Sequence, residues 1–425
     1  MLNFVKPQLI VNKIFVLFVT ILLPHYIYGQ TEIKEISLND AIEIGLKNNP
    51  EIKAAREKIS AAKGRFWSGI SLPSPEISAR YEWIPKDKSL KNFGELTHEV
   101  KQSFEFPMNY FLKGRKLRNE EEIAYYRFKQ TELIITSQIK SAYYNVLAKK
   151  EQLKIAEENL SIAEDFFKKA EIRYNVGEGT NLERLTAKVQ FTEAKNNLEV
   201  VRNELKTAIA ELNFALGYGR QSEEIFTLKD NLVFKEYNFS LDELFSLSSY
   251  ANPKIKIAEL NLSSSYIDKK LAWSSILPSF FLSYFKQARD GDRGYYGVSF
   301  GISVPLWFMF QQRGQIQEAS ANVNIAKLEL QLAKNEVYLR LKSAFNEYEN
   351  DLKQVKLYLN DILPQSEEIF RVAAKSYEAG EITYLEYLQA KQTLINSKNN
   401  YIKALLKYYL SLFALEEIVG QSLLK

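Results

Sequence analysis

The ten residues Tyr295-Tyr296-Gly297-Val298-Ser299-Phe300-Gly301-Ile302-Ser303-Val304 alternate in character from end to end. In an extended chain, successive side chains point to opposite sides. Tyr296, Val298, Phe300, Ile302 and Val304 therefore share one face, and Tyr295, Gly297, Ser299, Gly301 and Ser303 the other. Two further stretches read the same way. In 76–83, Ile77, Ala79, Tyr81 and Trp83 oppose Glu76, Ser78, Arg80 and Glu82. In 96–105, Leu96, His98, Val100, Gln102 and Phe104 oppose Thr97, Glu99, Lys101, Ser103 and Glu105. A fourth stretch, 279–287, is more apolar and alternates less cleanly. Runs of about 9–11 residues with one apolar face and one polar or small face are the pattern of tilted, membrane-crossing strands.

The stretches pair as hairpins. A polar loop from Pro85 to Gly94 joins the first pair, and Arg289-Asp290-Gly291-Asp292-Arg293 joins the second. Pro73 and Pro278 open the hairpins; Pro107 and Pro305 close them. Aromatic residues gather at these borders (Trp67, Tyr110, Phe111, Trp273, Trp307, Phe308, Phe310), as in an interfacial girdle. Four strands cannot close a membrane barrel, because open edges in lipid leave backbone groups without partners and the smallest common barrel has about eight strands. The chain is therefore expected to oligomerise; three copies would supply twelve strands. An amphipathic sheet packed on helices in a soluble protein is the competing reading. It accounts for neither the N-terminus nor the helix lengths.

Outside the hairpins the chain reads as helix. Each half carries a helical stretch (about 38–70 and 241–275), a very long one (about 113–174 and 313–376), a Gly-containing turn, and a final helix (about 181–217 and 384–419). Helix formers dominate, with apolar residues three and four apart, as in Leu153, Ala156, Leu160, Ala163, Phe167 and Ala170. About 62 residues of helix reach on the order of 90 Å, too long for a compact globule. Two shorter helices stacked end to end can run beside each long one. Pro364 is the sole proline inside the two very long stretches, so a kink or break is expected there.

The two halves are a tandem repeat at an offset near 203 residues. Ser37-Leu38-Asn39-Asp40 recurs as Ser240-Leu241-Asp242-Glu243, and Asn49-Pro50-Glu51-Ile52 as Asn252-Pro253-Lys254-Ile255. Trp67-Ser68 recurs as Trp273-Ser274, and Leu72-Pro73-Ser74 as Leu277-Pro278-Ser279. Residues 174–197 align with 377–400 without a gap, half the positions being identical. The expected organisation is a first repeat over 30–219, a connection over 220–239 and a second repeat over 240–425.

The N-terminus reads as an export signal. Lys6 and Lys13 precede the apolar run Ile14 to Leu23, and Gly29 offers a small residue for cleavage. The run is too short to span a bilayer, which takes roughly 20 apolar residues. A cleaved signal peptide is expected over 1–29, and no helix is expected to hold the remaining chain in a membrane.

Composition narrows the chemistry. Among 425 residues there is no Cys, which excludes disulfides, thiol catalysis, Cys-based zinc sites and lipidation on an N-terminal Cys. The two His are His25, inside the export signal, and His98, so no His-based triad or multi-His metal site can form. No cofactor site and no enzyme are expected. The formal charge of +4 falls to +2 once Lys6 and Lys13 leave with the signal, too balanced for nucleic-acid binding. The chain is rich in Tyr (25) and Phe (26), a bias common among outer-membrane proteins.

With the duplication, several motifs resemble the TolC family of outer-membrane efflux channels over nearly all of the exported chain. They are the Ser-Leu-x-Asp/Glu openings leading to Asn-Pro (37–50 and 240–253), Leu72-Pro73-Ser74-Pro75-Glu76, and the turns Arg173-Tyr174-x-x-Gly177-Glu178 and Ser376-Tyr377-x-x-Gly380-Glu381. The closing Leu216-Gly217 and Val419-Gly420 also match. Leu72-Pro73-x-Pro75-Glu76 and Gln102-Ser103-Phe104-Glu105-Phe106 followed by Gly114-Arg115 lean toward the CzcC-like, cation-efflux branch. The resemblance implies a mostly α fold with a membrane β-barrel: a homotrimer whose twelve strands sit in the outer-membrane lipid and whose long antiparallel helices form an α-barrel tunnel through the periplasm. It also implies docking to a periplasmic adaptor protein and an inner-membrane pump of RND type, and a passive conduit for metal cations, drugs or, in type I secretion, protein.

The resemblance places functional residues. The helical-hairpin turns would form the adaptor-docking tip, with Tyr174, Gly177, Glu178 and Thr180 in the first repeat and Tyr377, Gly380, Glu381 and Thr383 in the second. Gly177 and Gly380 suit a left-handed residue after a helix, and Thr180 and Thr383 suit N-caps. Glu386 matches an acidic ring at the entrance, Glu183 is its repeat equivalent, and Gln389 stands where a second acid would thicken the ring. Three carboxylates about one axis repel each other and attract cations. The polar strand faces, with Ser78, Arg80, Glu82, Glu99, Lys101, Glu105, Ser299 and Ser303, would line the barrel lumen. Two other classes compete: an exported structural coiled coil, which needs no detergent, and a diffusion porin, which needs many more strands and little helix.

Overall fold

The computed structural model describes residues 34–219, 226–289, 291–307 and 309–423. The expected signal over 1–29, part of the 220–239 connection, Asp290 and Phe308 lie outside the described residues. The first half comprises β1 (Lys34–Ile36), α1 (Leu38–Asn48), α2 (Pro50–Ile70), β2 (Glu76–Glu82), β3 (Glu95–Phe104), α3 (Pro107–Asn175) and α4 (Asn181–Ala215). The second comprises β4 (Phe226–Leu228), α5 (Leu241–Ala251), α6 (Pro253–Ser274), β5 (Ser279–Arg289), β6 (Asp292–Ser303), α7 (Gln311–Leu357), a π-helical turn (Tyr358–Ile362), α8 (Leu363–Glu378) and α9 (Tyr384–Val419).

The stretches read as single helices from 38 to 70 and from 241 to 275 are each two helices. The break falls at Asn49 and at Asn252. The Asn49 side chain accepts from the Glu51 N–H at 2.8 Å, and that of Asn252 from the Lys254 N–H at 2.9 Å. The following proline sits at the first helical position, where its missing N–H leaves nothing unpaired. Each asparagine also donates to the end of its repeat's last helix: Asn49 to the Ala215 carbonyl at 3.4 Å, Asn252 to that of Ile418 at 2.6 Å. Gly217 and Gly420 follow those ends with φ of +82° and +91°. A Cβ on Gly217 would lie 2.7 Å from the Asn49 nitrogen, and one on Gly420 2.7 Å from the Ala251 oxygen. The Asn-Pro openings and the closing glycines are thus two halves of one contact, made once per repeat.

The long helix α3 runs 69 residues, about 100 Å. It begins at Pro107 rather than near 113: the proline that ends the hairpin also opens the helix, since Pro fits the first helical turn. Its counterpart, α7 through α8, does not break at Pro364. The π turn Tyr358–Ile362 takes up the distortion instead. It contains Asn360, the residue whose carbonyl a proline four positions later would strike in a regular helix. The helix bulges and continues.

Helix α3 packs against α2 and α4 of its own half and α6 and α9 of the other, while α7 packs on α5, α6 and α9. One core gathers Ile36, Ile135, Ile139, Tyr143, Leu212 and Leu216. The other gathers Leu341, Tyr348, Leu405, Tyr408, Leu412 and Phe413. Between them Lys140 and Glu416 form a buried ion pair at 2.5 Å. The flanks are left bare: α7 exposes Ile325, Leu328, Leu332 and Leu339, and α4 exposes Leu182, Leu185 and Val189.

The four longer strands form one antiparallel sheet in the order β2-β3-β5-β6, so the two hairpins join through β3 and β5. Among the described residues, β2 and β6 have no partner on their outer edges.

Candidate functional site: sheet faces and hairpin tips

The sheet register sorts every strand side chain. Across the sheet Ile77 faces Val100, which faces Tyr284, which faces Val298. Four parallel rows flank this one. Ala79, His98, Lys286 and Tyr296 form the next toward the hairpin loops, and Tyr81, Leu96 and Ala288 the last. Toward the helices lie Gln102, Leu282 and Phe300, then Phe104, Phe280 and Ile302. Phe300, Val298 and Ile77 stand about 70 % exposed or more on this face.

The opposite face carries Glu76, Ser78, Arg80, Glu82, Glu95, Glu99, Lys101, Ser299 and Ser303 together. Ser283 and Ser299 share a hydrogen bond at 2.8 Å, and Gln287 donates to Glu95. Glu105 lies just past β3, where Lys113 reaches it at 2.5 Å. The weak alternation of β5 has a specific origin. Phe281 and Phe285 sit on the polar face because Gly301 and Gly297, their partners on β6, have no side chains. A Cβ on either glycine would fall within 2.4 Å of the facing ring. Lys101 stands 4.7 Å above the Phe281 ring.

At the far ends of the long helices are two turns built alike. Gly177 and Gly380 take φ of +80° and +76°. The N–H of Glu178 donates to the Arg173 carbonyl at 2.9 Å, and that of Glu381 to the Ser376 carbonyl at 2.8 Å. Thr180 and Thr383 cap α4 and α9, accepting from the Glu183 and Glu386 N–H groups at 3.1 and 3.4 Å.

The two glutamates of the repeat, however, stand in different surroundings. Glu386 folds back on its own cap: one carboxylate oxygen accepts from the Thr383 N–H at 2.7 Å and hydroxyl at 2.8 Å. Those bonds, the backbone one first, hold its pKa below the usual carboxylate value. The Glu183 carboxylate instead crosses to the other hairpin. It accepts from the Tyr377 hydroxyl at 2.5 Å and meets the Arg173 guanidinium at 3.4 Å, with its side chain 15 % exposed. Arg173 also donates to the Tyr377 oxygen at 3.2 Å. Burial first, then the Glu183 carboxylate, push the Tyr377 phenol well above its ordinary range.

Beneath this clasp lies an aromatic stack. Phe166 stacks on Tyr384 at 4.5 Å and on Tyr387 at 5.4 Å, and Tyr377 on Tyr387 at 5.3 Å. The one sequence signal for this cluster is that Phe370, Tyr377 and Tyr384 recur every seven residues through the turn. Tyr174, the repeat mate of Tyr377, lies outside it and carries Arg184 over its ring at 4.9 Å.

Glu386 and Gln389 line one groove between α8 and α9, of about 590 Å3, with Ile369, Val372 and Ile382. Just beyond, Lys391 is buried without an ion-pair partner among the described residues, and burial lowers its pKa to about 8.

A sheet with one apolar and one polar face, carried on helices near 100 Å long that end in capped turns, defines a channel subunit of the outer-membrane type. The model of the outer membrane efflux protein family matches residues 41–218 and 244–421, and the chain belongs to that family. It is similar to the cobalt-zinc-cadmium resistance protein CzcC of Cupriavidus metallidurans, 21 % identical over 91 % of this chain and 90 % of the relative. It is also similar to the outer membrane protein TolC of Escherichia coli, 22 % identical over 88 % of this chain and 80 % of the relative. The crystal structure of the Campylobacter jejuni CmeC outer membrane channel superposes with a TM-score of 0.75 at 16 % identity, covering 90 % of this chain and 85 % of that one. The chain is an efflux channel of the outer membrane. No described helix is long and apolar enough to cross a membrane.

Proposed function

We propose that three copies of this chain close into one conduit: a twelve-stranded barrel in the outer membrane continued by a helical tunnel in the periplasm. The carrying observation is the four-stranded sheet with two unpaired edges and one predominantly apolar face. In lipid those edges must find partners, and β2 of one copy against β6 of the next closes the sheet. The bare apolar flanks on α7 and α4 meet in the same way. The expected division stands with this reading: a signal peptide over 1–29, repeats over 30–219 and 240–425, and the connection over 220–239.

In such a trimer the polar sheet face lines the lumen, with Ser78, Arg80, Glu82, Glu99, Lys101, Ser299 and Ser303. The turns around Gly177 and Gly380 form the tip that docks a periplasmic adaptor, behind which stands an RND-type pump. Glu386 and Gln389 sit at the entrance. The clasp of Glu183, Arg173 and Tyr377 ties the two hairpins of each copy and opposes their parting. As cargo we infer divalent metal cations, supported by the alignment with CzcC over 91 % of this chain and by the glutamate at the entrance. The polypeptide supplies a path and a partner supplies the energy.

Deleting the gene and restoring it in its own host tests this. Restored resistance to zinc, cobalt or cadmium salts is expected. Restored resistance to organic drugs alone, or recovery of a secreted protein, would replace metal as the cargo. A purified chain that is monomeric without detergent would overturn the channel itself.

A further inference from the structure

The loop over 83–94 folds against the apolar face of β2, β3 and β5, where Tyr81 and Phe93 meet edge to face at 5.5 Å. The cleft between loop and sheet holds about 570 Å3. Its apolar walls include Tyr81, Leu90 and Leu96, and its polar groups include Lys91, His98 and Lys286. The carboxylates paired between β2 and β3, those of Glu76, Glu82, Glu95 and Glu99, lie on the other face by register, and Asp292 stands opposite Arg289 at the bulged loop end of β5 and β6. The basic groups on the apolar face are His98 and Lys286, which are direct cross-strand partners, and Lys91 comes to them from the loop. Neither lysine makes an ion pair among the described residues.

A lysine on a lipid-facing strand is strongly disfavoured at mid-depth and nearly tolerated at the interface. Lys286 lies on the loop side of the middle row, one row short of the last, with Tyr296 beside it in the same row, and its flexible stem can carry the ammonium toward the loop-side interface. We propose that this cleft binds a phosphorylated, acylated lipid of the outer leaflet. Its phosphate lies between Lys91 and Lys286, and an acyl chain follows the apolar rows below. The proposal rests on the reading of the sheet as a membrane wall. Ammonium groups bind phosphate as point charges, and clustered lysines at a membrane surface favour anionic lipid. The apolar walls give the lipid an advantage over free phosphate, which has no chain to bury.

The test uses the full chain, purified as its trimer in detergent and stripped of lipid, with native mass spectrometry as the readout. The probes are bisphosphorylated lipid A, the same lipid without its phosphates, and inorganic phosphate. The phosphorylated lipid is expected to bind at least about tenfold more tightly than the other two. Replacing Lys91→Gln and Lys286→Gln together should weaken it by about tenfold or more. Lys86→Gln with Lys88→Gln, on the same loop but outside the cleft, should leave it unchanged. Lys91→Gln alone, outside the strand ladder, should weaken binding even where the double variant assembles poorly. Equal binding of the lipid with and without phosphate, phosphate binding as tight as the lipid's, or no loss in the Lys91 variants overturns the proposal. A detergent-held trimer that ignores the lipid sinks this inference alone, whereas a water-soluble monomer sinks the channel reading.

Discussion

Replacing Val298→Arg should stop the protein accumulating in the outer membrane, while Ser103→Arg should not. Val298 is 67 % exposed and belongs to the middle of five rows on the apolar face. Rows on one face are two residues apart, about 7 Å along a strand, so five rows span roughly 27 Å before tilt. That matches the apolar band of about 25 Å expected of such barrels. The middle row is therefore the deepest, and arginine there costs about 2–4 kcal/mol. Three symmetric copies raise this to about 6–12 kcal/mol per trimer, comparable with the whole stability of a typical domain. Ser103 lies on the opposite face, paired with Phe281, and in the proposed trimer arginine there would meet lumen water. Both variants would be expressed with an intact signal and measured as heat-dissociable trimer in outer-membrane fractions. The reasoning fails if Val298→Arg accumulates like wild type, or if Ser103→Arg is lost as completely.

Four further outcomes follow from the geometry. Tyr377→Phe removes the 2.5 Å bond to a carboxylate, of a kind contributing about 1.5–3 kcal/mol. Larger single-channel conductance in planar bilayers is expected; unchanged conductance in both this variant and Glu183→Gln would remove the clasp from the mechanism. Glu386→Gln should shift the zero-current potential in a salt gradient toward lower cation preference, and Gln389→Glu should shift it the other way; the entrance reading falls if neither moves. Gly217→Ala and Gly420→Ala each force a side chain into a left-handed residue against backbone 2.7 Å away, so thermal melting should show losses of at least about 1–3 kcal/mol each. The depressed pKa of Lys391 means that the folded chain holds fewer protons than the unfolded one between about pH 8 and 10.5. Stability should thus rise with pH across that window, and Lys391→Met should raise the melting temperature at pH 7 and flatten the rise; melts that stay parallel in wild type and variant would refute this.

Much of this fold is legible in the chain because membrane strands and long helices obey simple periods. The alternation of 295–304 sets the lipid face, and the recurring turn with Gly177 and Gly380 marks both tips. What escaped lies in side chains that answer to residues far away in sequence. Phe281 and Phe285 break the alternation because glycines on β6 leave room for them. The helix breaks at Asn49 and Asn252 were hidden by strong helix propensity on both sides, although Asn-Pro is itself a cap followed by a first-turn proline. Pro364 suggests a kink or break; a single widened turn takes up the distortion and the helix continues. Glu183 and Glu386 are alike in sequence and unlike in surroundings, since only one has a tyrosine from the other hairpin in reach.

The pairing of β3 with β5 sets an order of events during biogenesis. β3 leaves the secretion machinery well before β5 does, so the first hairpin must wait in the aqueous periplasm with both flanks bare and an oily surface uncovered. Long-range pairings of this kind are slow to form and prone to aggregation. Holding chaperones should therefore be needed from the first hairpin onward. A chain truncated after α4 should be degraded or aggregate rather than insert, because the surface that its sheet must join lies entirely in the missing half.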